Sequence, residues 1–244
     1  MRILAADTST MSGSLALLDG ENLAAEWTLK SAQTHNRRLL KSIDSLLGQT
    51  GWTLDSIDAF AVASGPGSFT GLRIGMTTMK TLAWTTRKLY AAVCSLDALA
   101  FPLCFSANPV CALLDARKGE VYFALYRPDG KAGLRLEVPY EAISPPRLAK
   151  SLISMLSGPA VFCGDGWTAY GDFLKSKLGD LVIEPPSSFH IIRAASVAEL
   201  ARRRLVQGLA EDPKSSAPLY LRPSEAEIHY PHLAKKSSGK PEII

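Results

Sequence analysis

The sequence predicts an α/β protein of two lobes in which the order βββαβα occurs twice. Three short apolar or alternating runs open the chain, and helical periods then alternate with further strand-like runs. Prolines at positions 102 and 109 interrupt the pattern, and a similar order begins again after them. The 244 residues are 47% hydrophobic and 20% charged, which is typical of a globular protein with a substantial core.

The first lobe is predicted over residues 1–100. Its strands are residues 2–6, 13–19 and 22–30, which form an antiparallel meander, and residues 57–65. Apolar side chains at helical spacing predict a helix over residues 35–47, with Thr34 as N-cap and with Gly48 and Gly51 ending it. A second helix is expected from Phe69 to Lys88.

The second lobe is predicted over residues 101–223. Strands are expected at residues 110–116, 120–127, 133–138 and 159–164, and helices at 146–156, 167–178 and 194–207. Residues 224–244 are rich in Pro, Ser, Lys and Glu without periodicity, so they are expected to form a flexible tail.

Charge and cysteine content exclude several classes of protein. A net charge of +4 is too small by itself to indicate nucleic-acid binding. The four cysteines form no Cys-x-x-Cys pair, so neither a zinc site nor a disulfide framework is expected. Because the chain begins without a signal-like leader and has no apolar run long enough for a bilayer, we expect a cytoplasmic protein without membrane contact.

The segment SGPGSFTGLRIG, residues 64–75, joins the fourth strand to the second helix. Ser68 is placed to cap the helix, whose free amides could hold a phosphate or a carboxylate. The segment lacks the Gly-Lys-Ser/Thr ending of a phosphate loop, so a tight turn stays an alternative. Gly71 and Gly75 weaken a helix, which indicates close approach of another backbone, from residues 35–47 or from another subunit.

The same segment resembles the signature of the TsaB (YeaZ) family. Further matching segments are ILAADTST, THNRRLLKSIDSLL, SLDALA, LLDARKGEVYFALY and PLYLR, and the likeness is best over residues 2–127. The resemblance implies the two-lobed actin-like ATPase fold of the actin and sugar-kinase superfamily (ASKHA, ribonuclease H-like). It also implies a pathway, in which a TsaD-like paralogue and a TsaE-like ATPase place threonylcarbamoyl on N6 of the adenosine beside the anticodon of tRNA.

Phosphate hairpins are also implied by the resemblance. In this fold they correspond to Asp7, Thr8, Ser9 and Thr10 in the first lobe and to Asp115 in the second, and Gly164-Asp165-Gly166 would line the adenosine side. Weak ATP or ADP binding with Mg²⁺ is therefore one interpretation. The first hairpin lacks the usual glycine, so the alternative is that Asp and Ser/Thr cap their own turn.

No catalytic residue and no metal site are predicted. TsaD-like relatives carry a metal on a His-x-x-x-His helix, but here His35 is followed by leucine at position 39. There is no Gly-x-Ser-x-Gly nucleophile elbow.

The resulting hypothesis is a non-catalytic subunit that binds and activates a TsaD-like partner and contacts tRNA indirectly through that complex. When the partner is absent, an exposed apolar helical face would favour a homodimer, and a monomer is the alternative. The residues predicted for the partner surface are Leu39, Gly71, Leu72, Gly75 and Met79. Two alternatives remain: a free-standing ATP-dependent phosphotransferase or hydrolase, and a glycoprotease-like peptidase.

Overall fold

The computed structural model describes residues 1–30 and 35–222, with only the backbone of residues 35–37. The predicted cap at Thr34, the side chain of His35 and the predicted tail at 224–244 lie outside this description. Among the described residues, no helix is both long and apolar enough to cross a bilayer.

The first five strands form one mixed sheet in the order β3-β2-β1-β4-β5. Strand β2 pairs antiparallel with β1 and β3, whereas β4 is parallel to β1 and β5. The strands are β1 (Arg2–Asp7), β2 (Ser12–Asp19), β3 (Asn22–Lys30), β4 (Ala59–Gly65) and β5 (Leu89–Cys94).

The second sheet repeats this arrangement, with strand order β8-β7-β6-β9-β10. Its strands are β6 (Val110–Arg117), β7 (Glu120–Pro128), β8 (Leu134–Ile143), β9 (Ala160–Cys163) and β10 (Val182–Ile183). The duplicated βββαβα order predicted from the sequence is therefore confirmed, and each copy ends in one additional parallel strand.

The helices are α1 (His35–Thr50), α2 (Phe69–Thr86), α3 (Ser95–Ala100), α4 (Pro145–Met155), α5 (Asp165–Leu178) and α6 (Ala194–Val206). Helices α1 and α2 cover one face of the first sheet through a buried apolar cluster, and α4 and α5 cover one face of the second sheet. Helix α6 lies on the other face of the first sheet.

The central apolar cluster is shared by the two sheets. It joins Ile3 and Ala61 of the first sheet to Ala112 of the second, and Val197 of α6 belongs to it as well. The predicted boundary between lobes near residue 100 stays a prediction. The structure adds that α6, although late in the chain, packs against the first sheet.

Several details differ from the sequence predictions, among them strand β10, which was not predicted, and strand β8, which continues to Ile143. Gly48 lies inside α1, and the helix continues to Thr50 before Gly51 takes a positive φ of 69°. Strand β5 and helix α3 were not predicted, because a short strand buried on both faces has no polar alternation to mark it.

Candidate functional site

The turn between β1 and β2 is built around the carboxylate of Asp7. The Asp7 side chain is fully buried, and its Oδ1 accepts hydrogen bonds from Ser9 N at 3.0 Å and Ser9 Oγ at 2.6 Å. Its Oδ2 is buried without a hydrogen-bond partner. Burial raises the pKa of Asp7 to about 7, because a buried carboxylate loses its hydration. Asp7 therefore caps its own turn, and cofactor binding by this hairpin stays a prediction.

Helix α2 begins directly against this turn. Ser68 N donates to Ser9 O at 2.7 Å, and Thr8 Oγ1 donates to Gly71 O at 2.7 Å. Ser68 Oγ accepts from Gly71 N at 3.2 Å, which confirms the predicted N-cap. Some of the amides and carbonyls that could have met a ligand are thus used within the chain.

Three glycines of the motif make this contact feasible. A Cβ at Gly67 would overlap the carbonyl oxygen of Ser9, and one at Gly71 would overlap the carbonyl oxygen of Thr8. At Gly75 a Cβ would overlap the Thr8 hydroxyl. This corrects the expectation that Gly71 and Gly75 face another helix: Gly71 admits the backbone of Thr8 and Gly75 admits its side chain, both in the turn between β1 and β2.

The residues predicted for a partner surface are buried in this chain. Leu72 and Met79 have no exposed surface, and Leu39 is only 6% exposed. Gly71 and Gly75 are buried as well. Partner binding by these helices stays a prediction, but any such surface has to be formed by their outward side chains.

The second lobe repeats the arrangement at the turn between β6 and β7. Asp115 Oδ1 accepts from Arg117 N at 2.8 Å, and Asp115 Oδ2 pairs with the Arg117 guanidinium at 3.0 Å. Asp165 lies at the start of α5, and its Oδ1 accepts a hydrogen bond from Asp115 N at 2.9 Å. A Cβ at Gly164 would overlap the Leu113 carbonyl oxygen, so a glycine again admits the hairpin backbone.

The two repeats bring Asp7 and Asp165 within electrostatic reach of each other. Burial raises the pKa of Asp165, and the neighbouring charge of Asp115 raises it further. The charge of Asp165 in turn adds to the raised pKa of Asp7. The sequence carried a signal for Asp165: Gly-Asp-Gly follows β9 as Gly-Pro-Gly follows β4.

The cavity beside Asp7 is small, with a volume of about 10 Å³. Such a volume holds at most one water molecule. Its lining includes Thr8, Ser14, Trp27 and Leu39. In the described part of the chain, no group of three or more His, Cys, Asp or Glu side chains could hold a metal ion.

Thr10, the remaining residue predicted for cofactor binding, accepts a hydrogen bond from Ser12 N at 3.2 Å through its hydroxyl. It belongs to the same turn as Asp7. The structure thus brings Asp7, Thr8, Ser9 and Thr10 together, and it places Asp115 near the end of β6, beside the corresponding turn of the second lobe.

Comparison with known proteins places these features in a family. A family model described as "TsaD: tRNA N6-adenosine threonylcarbamoyltransferase" matches residues 29–230. The chain is 32% identical over 234 residues to the tRNA threonylcarbamoyladenosine biosynthesis protein TsaB of Bacillus subtilis (strain 168), covering 94% of this chain and 98% of that protein.

Solved structures agree with this likeness. YeaZ from Pseudomonas aeruginosa superposes with a TM-score of 0.78 at 28% identity, covering 90% of this chain and 99% of that one. The activator of 2-hydroxyisocaproyl-CoA dehydratase from Clostridium difficile, solved with bound ADPNP, shares the fold with a TM-score of 0.52 at 11% identity, over 90% of this chain and 100% of that one. The predicted two-lobed actin-like fold is confirmed.

The relative from Bacillus subtilis is more than 30% identical over nearly the whole of both proteins, and the family model covers most of the chain. The chain therefore belongs to the TsaB (YeaZ) family of tRNA threonylcarbamoyladenosine biosynthesis proteins.

Proposed function

We propose that this chain acts in tRNA threonylcarbamoyladenosine biosynthesis, in the cytoplasm, as a subunit without catalysis of its own. It binds and activates a TsaD-like catalytic partner, which a TsaE-like ATPase joins, and it reaches tRNA only through that complex. The names of its relatives support the pathway. The geometry around Asp7 supports the non-catalytic role.

The observation that carries the proposal is the contact between the β1–β2 turn and α2. A site that transfers a group needs open donors or acceptors beside the substrate. Here Gly67 and Gly71 admit the chain's own turn, and Asp7 Oδ1 is occupied by Ser9. The motif that identifies the family therefore packs against the chain's own turn. We infer that the outward faces of α1 and α2 serve association with a partner.

The partner surface is proposed on the outward faces of these two helices, which contact each other. Leu40 on α1 and Trp84 on α2 are each 61% exposed. Large apolar side chains on neighbouring helices are typical of association surfaces. Because a TsaD family model matches this chain, a TsaD-like partner would have the same fold and a corresponding pair of helices. The same surface would allow homodimers when the partner is absent.

The deciding experiment is reconstitution of tRNA modification from the purified TsaD and TsaE homologues, with and without this chain. We expect modification to require the chain, and we expect Leu40→Glu and Trp84→Glu to weaken both modification and co-elution with the TsaD homologue. Ile153→Glu is the matched control, because Ile153 is 55% exposed on α4, far along the chain from these helices. Full modification without this chain would refute the proposal.

Nucleotide binding by the isolated chain is a separate question, which calorimetry with ATP and Mg²⁺ addresses. We propose at most weak ATP or ADP binding, because the oxygens of Asp7 are buried and Asp115 is paired with Arg117. Tight binding with turnover, abolished by Asp115→Ala, would instead favour the free-standing phosphotransferase. Cleavage of the TsaD homologue by this chain would favour the peptidase.

A further inference from the structure

The segment that follows α6 runs back along α2 without regular secondary structure. Lys214 lies over the ring of Trp84 at 5.5 Å, near the end of α2. Lys80 Nζ, in the middle of the helix, donates to Ser216 O at 2.6 Å. Residues 211–222 are called the latch below. The latch therefore follows α2 from its C-terminal end toward its N-terminal end.

Aromatic and cationic side chains attach the latch to the start of α2. The ring of Tyr220 stacks on Phe69, with centroids 5.1 Å apart. The Arg73 guanidinium lies over the ring of Phe69, 4.0 Å from its centroid. Arg73 Nε also donates a hydrogen bond to the Tyr220 hydroxyl at 3.2 Å. A cation over the face of an aromatic ring is attracted by the ring's negative face, so this contact is favourable.

Backbone contacts determine the position of the latch on the first lobe. Leu219 N donates to Ser64 O at 2.8 Å, at the end of β4. A Cβ at Gly65 would lie 2.7 Å from Leu219 O, so the glycine admits the latch backbone. At the other end, Glu211 N donates to Tyr90 O at 2.9 Å.

The latch ends on the other lobe. The Arg222 guanidinium donates to Ala116 O at 3.1 Å and pairs with Glu120 Oε2 at 3.1 Å. Both acceptors flank the turn between β6 and β7. The Arg222 side chain is 22% exposed and that of Glu120 is 36% exposed. One short segment thus connects α2 in the first lobe with the tip of a hairpin in the second.

The base of the same hairpin has a different connection to the first lobe. There Tyr126 of β7 donates to Asp97 of α3 at 2.6 Å, beside the shared apolar cluster. Val110 pairs with Tyr126 at the base, and Arg117 pairs with Glu120 at the tip. Seven residues at about 3.3 Å each separate the two by about 23 Å. The base is buried and the tip is half-exposed.

We propose that residues 211–222 form a releasable latch, which ties the tip of the β6–β7 hairpin to α2 while the buried base of the hairpin acts as the pivot. Release of Arg222 and Tyr220 frees the tip and exposes the start of α2, and both sheets stay folded. Half-exposed polar contacts of this kind open at a lower free-energy cost than packed strands.

The test is hydrogen exchange measured by mass spectrometry on the full chain in the native state. In Arg222→Gln and in Tyr220→Ala, we expect about three- to tenfold faster exchange in peptides covering residues 211–222 and 116–120, with unchanged exchange in β1, β4 and α5. Arg147→Gln, at an exposed position of α4, is the control and should leave every peptide unchanged.

Glu120→Gln tests the same contact from the other lobe. Because Glu120 and Arg222 act as one pair, the double variant should exchange no faster at the tip than Arg222→Gln alone. Three outcomes would overturn the latch: unchanged exchange at the tip in Arg222→Gln, additive effects in the double variant, or uniformly faster exchange across both sheets, which would indicate global destabilisation.

Discussion

Replacement of Asp7 by Asn should remove a pH dependence from the stability of this protein. Burial raises the pKa of Asp7 from 3.8 to about 7. Between these two values the folded chain keeps a proton that the unfolded chain has released, so the free energy of unfolding falls as the pH rises from about 4 to about 7. At about 1.36 kcal/mol for each unit of pKa, the loss at pH 8 reaches about 4 kcal/mol.

Asn is nearly the same size, keeps an oxygen to accept from Ser9 N, and carries no charge. The cost of its buried amide does not vary with pH and cancels when conditions are compared. We therefore expect the free energy of unfolding of Asp7→Asn, relative to the wild type, to rise by about 4 kcal/mol between pH 4 and pH 8. Urea unfolding followed by tryptophan fluorescence at four pH values measures this difference.

Asp172→Asn is the matched control, because Asp172 lies at an exposed position of α5. Its stability should follow that of the wild type at every pH. If the difference between Asp7→Asn and the wild type stays constant within about 1 kcal/mol from pH 4 to pH 8, Asp7 is not a desolvated carboxylate, and the account of the β1–β2 turn fails.

Three further predictions concern packing and burial. Gly71→Ala should cost about 3 kcal/mol in urea unfolding because its Cβ would meet the Thr8 carbonyl, and Gly75→Ala should cost less because the Thr8 hydroxyl can rotate; equal costs would contradict this contact. Tyr140→Phe removes a hydroxyl that donates to Asp97 at 2.9 Å and should lower stability by about 1–2 kcal/mol; an unchanged melting temperature would exclude a stabilising role. Burial raises the pKa of all four free thiols, so Ellman's reagent at pH 8 should react at least about tenfold more slowly with native than with unfolded protein, and equal rates would show the thiols to be accessible.

Local patterns in the sequence were sufficient for most of the element order. Alternating or continuous apolar runs marked the strands of both repeats, and Ser68 before Phe69 marked the start of α2. These signals work because a strand or a helix imposes its own period on the side chains that it buries. The resemblance of residues 64–75 to the TsaB signature indicated the family, because that motif is a short continuous stretch of sequence.

Only the tertiary structure shows which residues these helices and strands contact. Periodicity showed that Gly71 and Gly75 need a close neighbour, but only the fold shows that this neighbour is Thr8, more than 60 residues earlier in the chain. It also shows that the predicted partner residues are core residues.

Contacts between distant segments could not be read from the sequence at all. Arg222 meets Glu120, and Tyr220 meets Phe69, across separations of about 100 and 150 residues. The apolar pattern of a segment indicates which of its residues are buried. Which residues they contact depends on how the sheets and helices pack against each other. The sequence by itself therefore determined the elements, their order and the family. The structure alone decided that Gly67, Gly71 and Gly75 admit the β1–β2 turn, and that residues 211–222 connect α2 with the tip of the β6–β7 hairpin.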